Sequence, residues 1–110
     1  MGNRILVVDD EKEIADVIEL YLKNEGFEVE KFYTGKDALV SIEKAAPDMA
    51  LLDVMLPEES GIEILQKLRK NPMTERVPVI MATAKTSEYD KINGLESGAD
   101  DYIAKPFSMM

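Results

Sequence analysis

The chain has 110 residues, of which 45% are hydrophobic and 32% charged, and its formal net charge is −9. This length and composition are typical of one folded globular domain and exclude a disordered chain or a membrane chain. The acidic excess argues against direct nucleic-acid binding, and the absence of Cys excludes disulfides, thiolate nucleophiles and Cys-type zinc sites.

The first half of the chain predicts two strand–helix pairs. Residues 5–8 form a short apolar run rich in β-branched residues, which is typical of a strand covered on both faces. The next helix has apolar residues at helical spacing and ends at Gly26. Its predicted inward residues are Ile14, Val17, Ile18, Tyr21 and Leu22. Residues 27–32 alternate apolar and polar, as in an edge or half-buried strand, and Gly35 opens a second helix.

The second half continues the same alternation. Its predicted elements are a buried strand over 49–52, a helix capped by Ser60 that ends near Asn71, a buried strand over 77–82, a shorter helix from Ser87 to Gly98, and a last strand over 102–104. Strands that alternate with helices predict βαβ units and a mostly parallel sheet. We therefore expect one doubly wound α/β domain with five strands and four helices.

Polar residues stand where four of these strands end. They are Asp9 and Asp10 after the first strand, Asp53 after the third, Thr83 after the fourth and Lys105 after the fifth. In a parallel sheet these positions share one edge, where ligands bind. Crowded carboxylates favour capture of a divalent cation, and Asp53 can attack phosphorus while the cation and Lys105 neutralise the phosphoryl charge. The chain has no His, but phosphoryl transfer needs mainly positioning and charge neutralisation.

Each of these residues also has an ordinary structural interpretation. Asp10 and Glu13 have the spacing of a helix capping box, and Asp53 suits a turn. Thr83 is also typical of an ordinary strand end. Lys105 is compatible with a simple exposed position, and Tyr102 with an aromatic side chain packed in the structure. The functional interpretation is favoured because compatible groups stand at all four strand ends.

These residues belong to motifs that resemble the response regulator receiver domains of two-component signalling. The motifs are ILVVDD at 5–10, LLDVMLPEESG at 51–61, MATA at 81–84 and GADDYIAKPF at 98–107. The resemblance runs from Met1 to about Phe107. It implies a flavodoxin-like (CheY-like) five-stranded parallel sheet of order 2-1-3-4-5 in three α/β/α layers.

The resemblance also implies roles. Asp53 is the expected phosphoacceptor, and Asp10, Asp53 and the Met55 carbonyl are the expected ligands of Mg²⁺ or Mn²⁺, with Asp9 reaching the ion through water. Lys105, Thr83 and Tyr102 are expected to bind the phosphoryl group or switch conformation, and Met55 and Lys85 to tune the lifetime of the phosphoryl group. The expected donor is a phosphohistidine on a sensor histidine kinase.

Residues 90–102 most resemble the subclass (OmpR/PhoB) that fuses a receiver to a winged-helix DNA-binding domain. This implies control of transcription, with Lys91, Asp100 and Asp101 as candidate interface charges. The chain stops at Met110, where the family's fifth helix begins, so we expect residues 1–110 to be a receiver without that helix or an effector domain. A homodimer or a swapped assembly is then expected. The N-terminus lacks a signal peptide and no run spans a membrane, which predicts a cytoplasmic protein without membrane contact.

Other classes of function stay open at this point. A Mg²⁺-dependent phosphatase or phosphotransferase would use an aspartyl-phosphate, but it usually has an acid two positions after the nucleophile, where Met55 stands. A flavin-binding module would need a phosphate loop after the first strand, and residues 9–11 are acidic. A receiver that only binds proteins is a further alternative. The favoured hypothesis is a switch that catalyses only its own phosphorylation and dephosphorylation and is otherwise not an enzyme.

Overall fold

The computed structural model describes residues 3–54, 56, 60–83 and 100–104, with the backbone alone for Thr83 and residues 102–104. The elements are β1 (Arg4–Val8), α1 (Lys12–Asn24), β2 (Glu28–Phe32), α2 (Gly35–Lys44), β3 (Met49–Asp53), α3 (Gly61–Lys70), β4 (Val79–Thr83) and β5 (Asp101–Ala104). The predicted strands and the first three predicted helices are confirmed, with ends that differ by at most about two residues. The predicted helix from Ser87 to Gly98 lies outside the described residues.

The five strands form one parallel sheet of order β2-β1-β3-β4-β5, as predicted. β1 lies next to the edge strand β2, and the chain passes from β1 out to β2 and then returns across β1 to build β3, β4 and β5. The winding direction therefore reverses between β1 and β3. In doubly wound sheets a ligand site lies at this reversal, outside the carboxyl ends of the strands.

Side chains of β1 alternate between two hydrophobic clusters on opposite faces of the sheet. Leu6 and Val8 pack in the cluster that holds the apolar residues of α2 and α3, whereas Ile5 and Val7 pack with Ile18 of α1. Such alternation explains why β1 is apolar at every position from 5 to 8: both of its faces are covered. The described chain thus has three layers, with helices on both faces of the sheet.

The buried stripe of α1 is rotated from its predicted position. Ala15 and Ile18 are buried, but Val17 and Tyr21, which were predicted to face inward, are 51% and 39% exposed. The prediction is confirmed for Ile14, Ile18 and Leu22, which pack in the cluster of Ile5 and Val7. It is wrong for Val17 and Tyr21, because the stripe of α1 that faces the sheet is centred on Ile18. None of the three described helices has the length and apolar composition of a membrane span.

Local signals explain where the helices begin and end. Thr34 and Ser60 are the N-caps of α2 and α3, and their hydroxyl oxygens accept hydrogen bonds from the backbone N–H of the third helical residue, at 3.2 Å in each case. Gly26 ends α1 with a φ of 96°, and the N–H of Phe27 donates to the Leu22 carbonyl. This is a Schellman ending, in which glycine is favoured because L side chains rarely adopt positive φ.

Candidate functional site

The register of the sheet aligns the strand ends that carry polar residues. Val8 of β1 pairs with Leu52 of β3, so the residues that follow them, Asp9 and Asp53, are neighbours across the sheet. Asp53 in turn pairs with Ala82, the residue before Thr83. The parallel pairing therefore places Asp9, Asp53 and the end of β4 on one edge, as the sequence predicted.

Three carboxylates meet at this edge. Asp9, Asp10 and Asp53 each place one carboxylate oxygen so that all three oxygens lie within 4.8 Å of one another. Asp9 and Asp53 are 2% and 4% exposed, while Asp10 is exposed to solvent. We call these three residues the aspartate triad. The turn alternative for Asp53 does not fit, because Asp53 is the buried last residue of a paired strand.

The start of α1 leaves Asp10 out of the helix cap. The N-cap is Glu11, it has no side-chain cap hydrogen bond, and Glu13 is therefore at the second helical position. The interpretation of Asp10 and Glu13 as a capping box is wrong, because the N-cap lies one residue after Asp10. The side chain that bonds to the start of α1 is that of Asp9, whose Oδ1 accepts a hydrogen bond of 2.9 Å from the Glu11 N–H. This bond fixes the turn that brings Asp10 to the triad.

Gly61, at the start of α3, is a residue that sequence reasoning did not single out. Its N–H donates to the Val54 carbonyl at 3.0 Å, and its backbone packs against the carbonyl of Asp53. A glycine at the first position of a helix that Ser60 already caps was the available signal. Glycine is a poor helix former, which makes this position notable, but Gly35 follows the cap Thr34 in the same way, so the sequence does not single out Gly61.

The other predicted site residues are described in part or not at all. Thr83 and Tyr102 lie in β4 and β5, where the backbone alone is described, and Thr83 pairs with Ala104. Met55, Lys85, Lys91 and Lys105 lie outside the described residues. The roles predicted for these six residues stay predictions.

The two remaining candidate interface charges stand at the start of β5. Asp100 and Asp101 are exposed. The Asp100 carboxylate accepts hydrogen bonds from the Val79 N–H at 2.7 Å and from the Arg69 guanidinium at 3.1 Å. Asp100 therefore ties α3, β4 and β5 together within the chain, and its role at an interface stays a prediction.

A second group of acidic residues lies between α1 and β2 and is neutralised by a cation of the chain itself. Lys31 Nζ donates to Asp16 at 2.6 Å and to Glu19 at 3.0 Å, and the Tyr33 hydroxyl donates to Asp16 at 3.1 Å. The hydrogen bonds from Lys31 lower the pKa of both carboxyls, and the same contacts raise the pKa of Lys31. We call Asp16, Glu19 and Lys31 the β2–α1 ion cluster.

The chemistry open to the aspartate triad follows from its ligand atoms. Carboxylate oxygens are the ligands preferred by hard divalent cations such as Mg²⁺. Two ligands on opposite sides of one Mg²⁺ are about 4.2 Å apart, since each bond is about 2.1 Å long. The triad oxygens lie within 4.8 Å of one another, so a small inward movement is enough for them to share one ion, and the exposure of Asp10 leaves one side of the triad open to solvent. The residues present therefore fit a magnesium ion.

Comparison with known proteins identifies the family. Residues 5–110 match the model of the response regulator receiver domain. The chain is a response regulator receiver domain. Over 107 residues it is 56% identical to the regulatory protein VanR of Enterococcus faecium, a match that covers 97% of this chain and 45% of VanR. The receiver domain thus spans about half the length of this curated relative.

Solved structures agree with the family and with the fold. A CheY-like response regulator receiver domain protein from Methanospirillum hungatei superposes with a TM-score of 0.91 at 37% identity, covering 99% of this chain and 86% of the other. The BeF3-activated receiver domain of DrrB superposes with a TM-score of 0.90 at 36% identity, covering 99% and 89%. Both confirm the predicted CheY-like fold.

Proposed function

We propose that this receiver domain accepts a phosphoryl group on Asp53 and thereby switches the activity of an output. The observation that supports the proposal most is the aspartate triad, which gathers three carboxylate oxygens within 4.8 Å at the edge where the winding of the sheet reverses. Asp53 has the position expected of the nucleophile, because it ends the strand next to the reversal and its carboxylate lies beside two others.

We assign the metal of this site as Mg²⁺, with Mn²⁺ as a substitute. Asp10 and Asp53 would hold the ion together with the Met55 carbonyl, and Asp9 would reach it through water. When bound, the ion neutralises negative charge on the transferred phosphoryl oxygens. Without a cation, an anionic phosphodonor is repelled by the negative charge that the triad already carries.

The transfer itself uses the carboxylate of Asp53. One of its oxygens attacks phosphorus, the new O–P bond forms, and the P–N bond of a donor phosphohistidine breaks. The electron pair of that bond leaves with the imidazole, which takes up a proton. Lys105, which follows β5 in the sequence, would pair with the phosphoryl oxygens. Thr83 would donate a hydrogen bond to them, and Tyr102 would turn inward as the switch proceeds.

The proposed partner is a sensor histidine kinase, because the chain has no histidine of its own to carry the phosphoryl group. The proposed output is transcription, through a protein segment other than this domain. A net charge of −9 disfavours direct contact with nucleic acid. The proposal includes self-catalysed phosphorylation and dephosphorylation, with no turnover of an external substrate.

Intact-protein mass spectrometry after incubation with Mg²⁺ and acetyl phosphate tests the proposal. We expect the mass of one added phosphoryl group on the parent protein and none on Asp53→Asn, which keeps the size of the side chain and removes the nucleophile. Asp37→Asn is the matched control. Asp37 is an exposed acid in the first turn of α2, so its loss should leave the adduct unchanged.

Two results would contradict the proposal. One is an adduct on Asp53→Asn equal to that on the parent protein, which would mean that another residue is the acceptor. The other is an adduct on the parent protein that forms equally well with excess chelator, which would remove the role of the cation. Multiple turnovers of phosphodonor per protein at a constant rate would favour the phosphatase alternative over a switch.

A further inference from the structure

We infer that Gly61 is a positioning residue for Asp53: its missing side chain is what allows α3 to hold the end of β3 where the aspartate triad forms. The inference rests on the proposed function and assigns a role to a residue outside the triad. It follows from the packing of Gly61 against the backbone of the acceptor residue itself.

The contact is between backbones and leaves no room for a side chain. A Cβ added at Gly61 would lie 2.1 Å from the Asp53 carbonyl oxygen, 2.9 Å from the Asp53 carbonyl carbon and 3.0 Å from Met81 Cε. Non-bonded carbon atoms are normally about 3.5–4.0 Å apart. The Met81 methyl group is the end of a flexible side chain and can move away, but the carbonyl oxygen can move only with the backbone of Asp53.

Gly61 differs in this respect from Gly26, the glycine that ends α1. Gly26 has a φ of 96° and nothing within 4 Å of the position of a Cβ, so it is needed for its backbone angle. Positive φ among the described residues occurs at Gly26 and not at Gly61. Gly61 is therefore needed for space.

A side chain at Gly61 would press on Asp53, because the buried residues of α3 anchor the helix in the core. Ile64, Leu65 and Leu68 of α3 are at most 1% exposed and pack in the main core. Asp53 is the last residue of β3, and its register partner in β4 is Ala82. A push on the Asp53 carbonyl therefore moves the last residue of the strand rather than the helix.

Movement of Asp53 matters because the triad depends on close spacing. The three carboxylate oxygens lie within 4.8 Å of one another, and Mg²⁺ demands short, nearly fixed distances to its ligands. Residues that orient metal ligands without touching the metal commonly change metal affinity by about 10- to 100-fold when substituted. We expect a loss of this size from a single methyl group at Gly61.

The experiment compares Gly61→Ala with Gly26→Ala, a matched glycine-to-alanine change at the opposite edge of the sheet. Mg²⁺ affinity is measured by titration, and stability by urea unfolding. Gly61→Ala should bind Mg²⁺ about 10- to 100-fold more weakly and acquire the phosphoryl adduct more slowly. Gly26→Ala should lose stability through its positive φ and keep the parent's Mg²⁺ affinity.

A third variant separates displacement of Asp53 from crowding of the core. In Gly61→Ala/Met81→Ala the Met81 methyl group is gone and the Asp53 carbonyl remains in the way. If Mg²⁺ affinity stays low in this double variant, the carbonyl contact is responsible. Recovery of the parent's affinity would show that core crowding was the cause and would overturn the inference.

A measurement on the parent protein decides the question if Gly61→Ala does not fold. Mg²⁺ binding should slow hydrogen exchange of the Gly61 N–H, which bonds to Val54 next to Asp53, and leave the Gly26 N–H unchanged. The inference would be refuted if Mg²⁺ slowed hydrogen exchange equally at both glycines. It would also be refuted if Gly61→Ala folded and kept the parent's Mg²⁺ affinity. A parent protein that binds no Mg²⁺ and gains no phosphoryl group would instead refute the proposed function.

Discussion

The described part of the molecule contains two groups of carboxylates whose surroundings differ. In the β2–α1 ion cluster, Asp16 and Glu19 face the ammonium group of Lys31 at 2.6 and 3.0 Å. In the aspartate triad, three carboxylates face one another within 4.8 Å, and two of them are buried.

This difference separates a group of charges that stabilises the fold from a group whose negative charge is suited to binding a cation. The first group contributes to stability because each carboxylate has a cation of the chain beside it. In the second group the three carboxylates repel one another, and a bound cation relieves this repulsion. Acidic residues alone therefore do not mark a site. What distinguishes the aspartate triad is that its carboxylates lie beside one another, at the edge of the sheet where the parallel strands end.

The largest expected effect comes from removing one charge of the triad. Asp10→Asn should lower Mg²⁺ affinity by about 10-fold or more, because one ligand oxygen loses its charge. The metal-free variant should be at least as stable as the parent, because the repulsion among the three carboxylates is reduced. Isothermal titration with Mg²⁺ and urea unfolding in excess chelator measure the two quantities.

Asp16→Asn is the control for that prediction and should show the reverse pattern. It removes a carboxylate that Lys31 neutralises, so stability should fall while Mg²⁺ affinity stays that of the parent. A stability loss in metal-free Asp10→Asn as large as that in Asp16→Asn would mean that the two groups do not differ as we describe.

A smaller effect is expected from removing the cation of the β2–α1 ion cluster. Lys31→Met should lower the free energy of unfolding, because it leaves Asp16 and Glu19 close together without the shared ammonium group. Lys23→Met is the comparison, since Lys23 is 3.5 Å from Glu19 in a pair of helical i, i+4 spacing. Exposed pairs of this helical spacing contribute only about 0.3–0.5 kcal/mol. Equal stability of the two variants in thermal unfolding would rule out a special role for Lys31.

The smallest expected effect concerns pH and the ion pair of Arg4 with Glu30. The Ser41 hydroxyl and the Arg4 guanidinium both hydrogen-bond to Glu30 and lower its pKa from the ordinary value of 4.5. A lowered pKa in the folded state gives stability that is present above 4.5 and is lost as pH falls below that value. Glu30→Gln should therefore flatten the loss of stability on acidification.

Urea unfolding from neutral pH to about pH 3 measures this slope, since each proton taken up on unfolding changes it by a known amount. Glu43→Gln, a change at an exposed position of α2, provides the reference. If the two variants lose stability in parallel with the parent, the Glu30 contacts make no contribution that depends on pH.

The fold could be predicted from the sequence because its signals are local. The apolar run at 5–8, the N-cap Ser60 and the ending at Gly26 each act within a few residues, and the alternation of strands with helices fixes a parallel sheet. The rotation of α1 was missed because Val17 and Tyr21 fit the helical period as well as the residues that are buried. Only the sheet surface beneath the helix selects between the two stripes.

The part of the site that lies directly at the ends of strands could be predicted from the sequence. Asp9 and Asp53 meet because they follow residues that pair in adjacent parallel strands. The capping box failed because the start of α1 depends on the turn that Asp9 makes with Glu11, a contact that the spacing of acidic residues does not reveal. The Gly61 contact and the bonds of Arg69 to Asp100 join distant segments, and only the assembled sheet brings them together.

The pairing of β1 with β3 has a consequence for how the protein matures. The triad takes its carboxylates from two segments that α1, β2 and α2 separate along the chain, so the site is absent until this non-local pairing is made. Pairings of this kind, in parallel sheets, form late and slowly compared with helices and hairpins. A chain in which β1 and β3 have not yet paired therefore lacks the acceptor site, and phosphorylation of Asp53 would report that this pairing has formed.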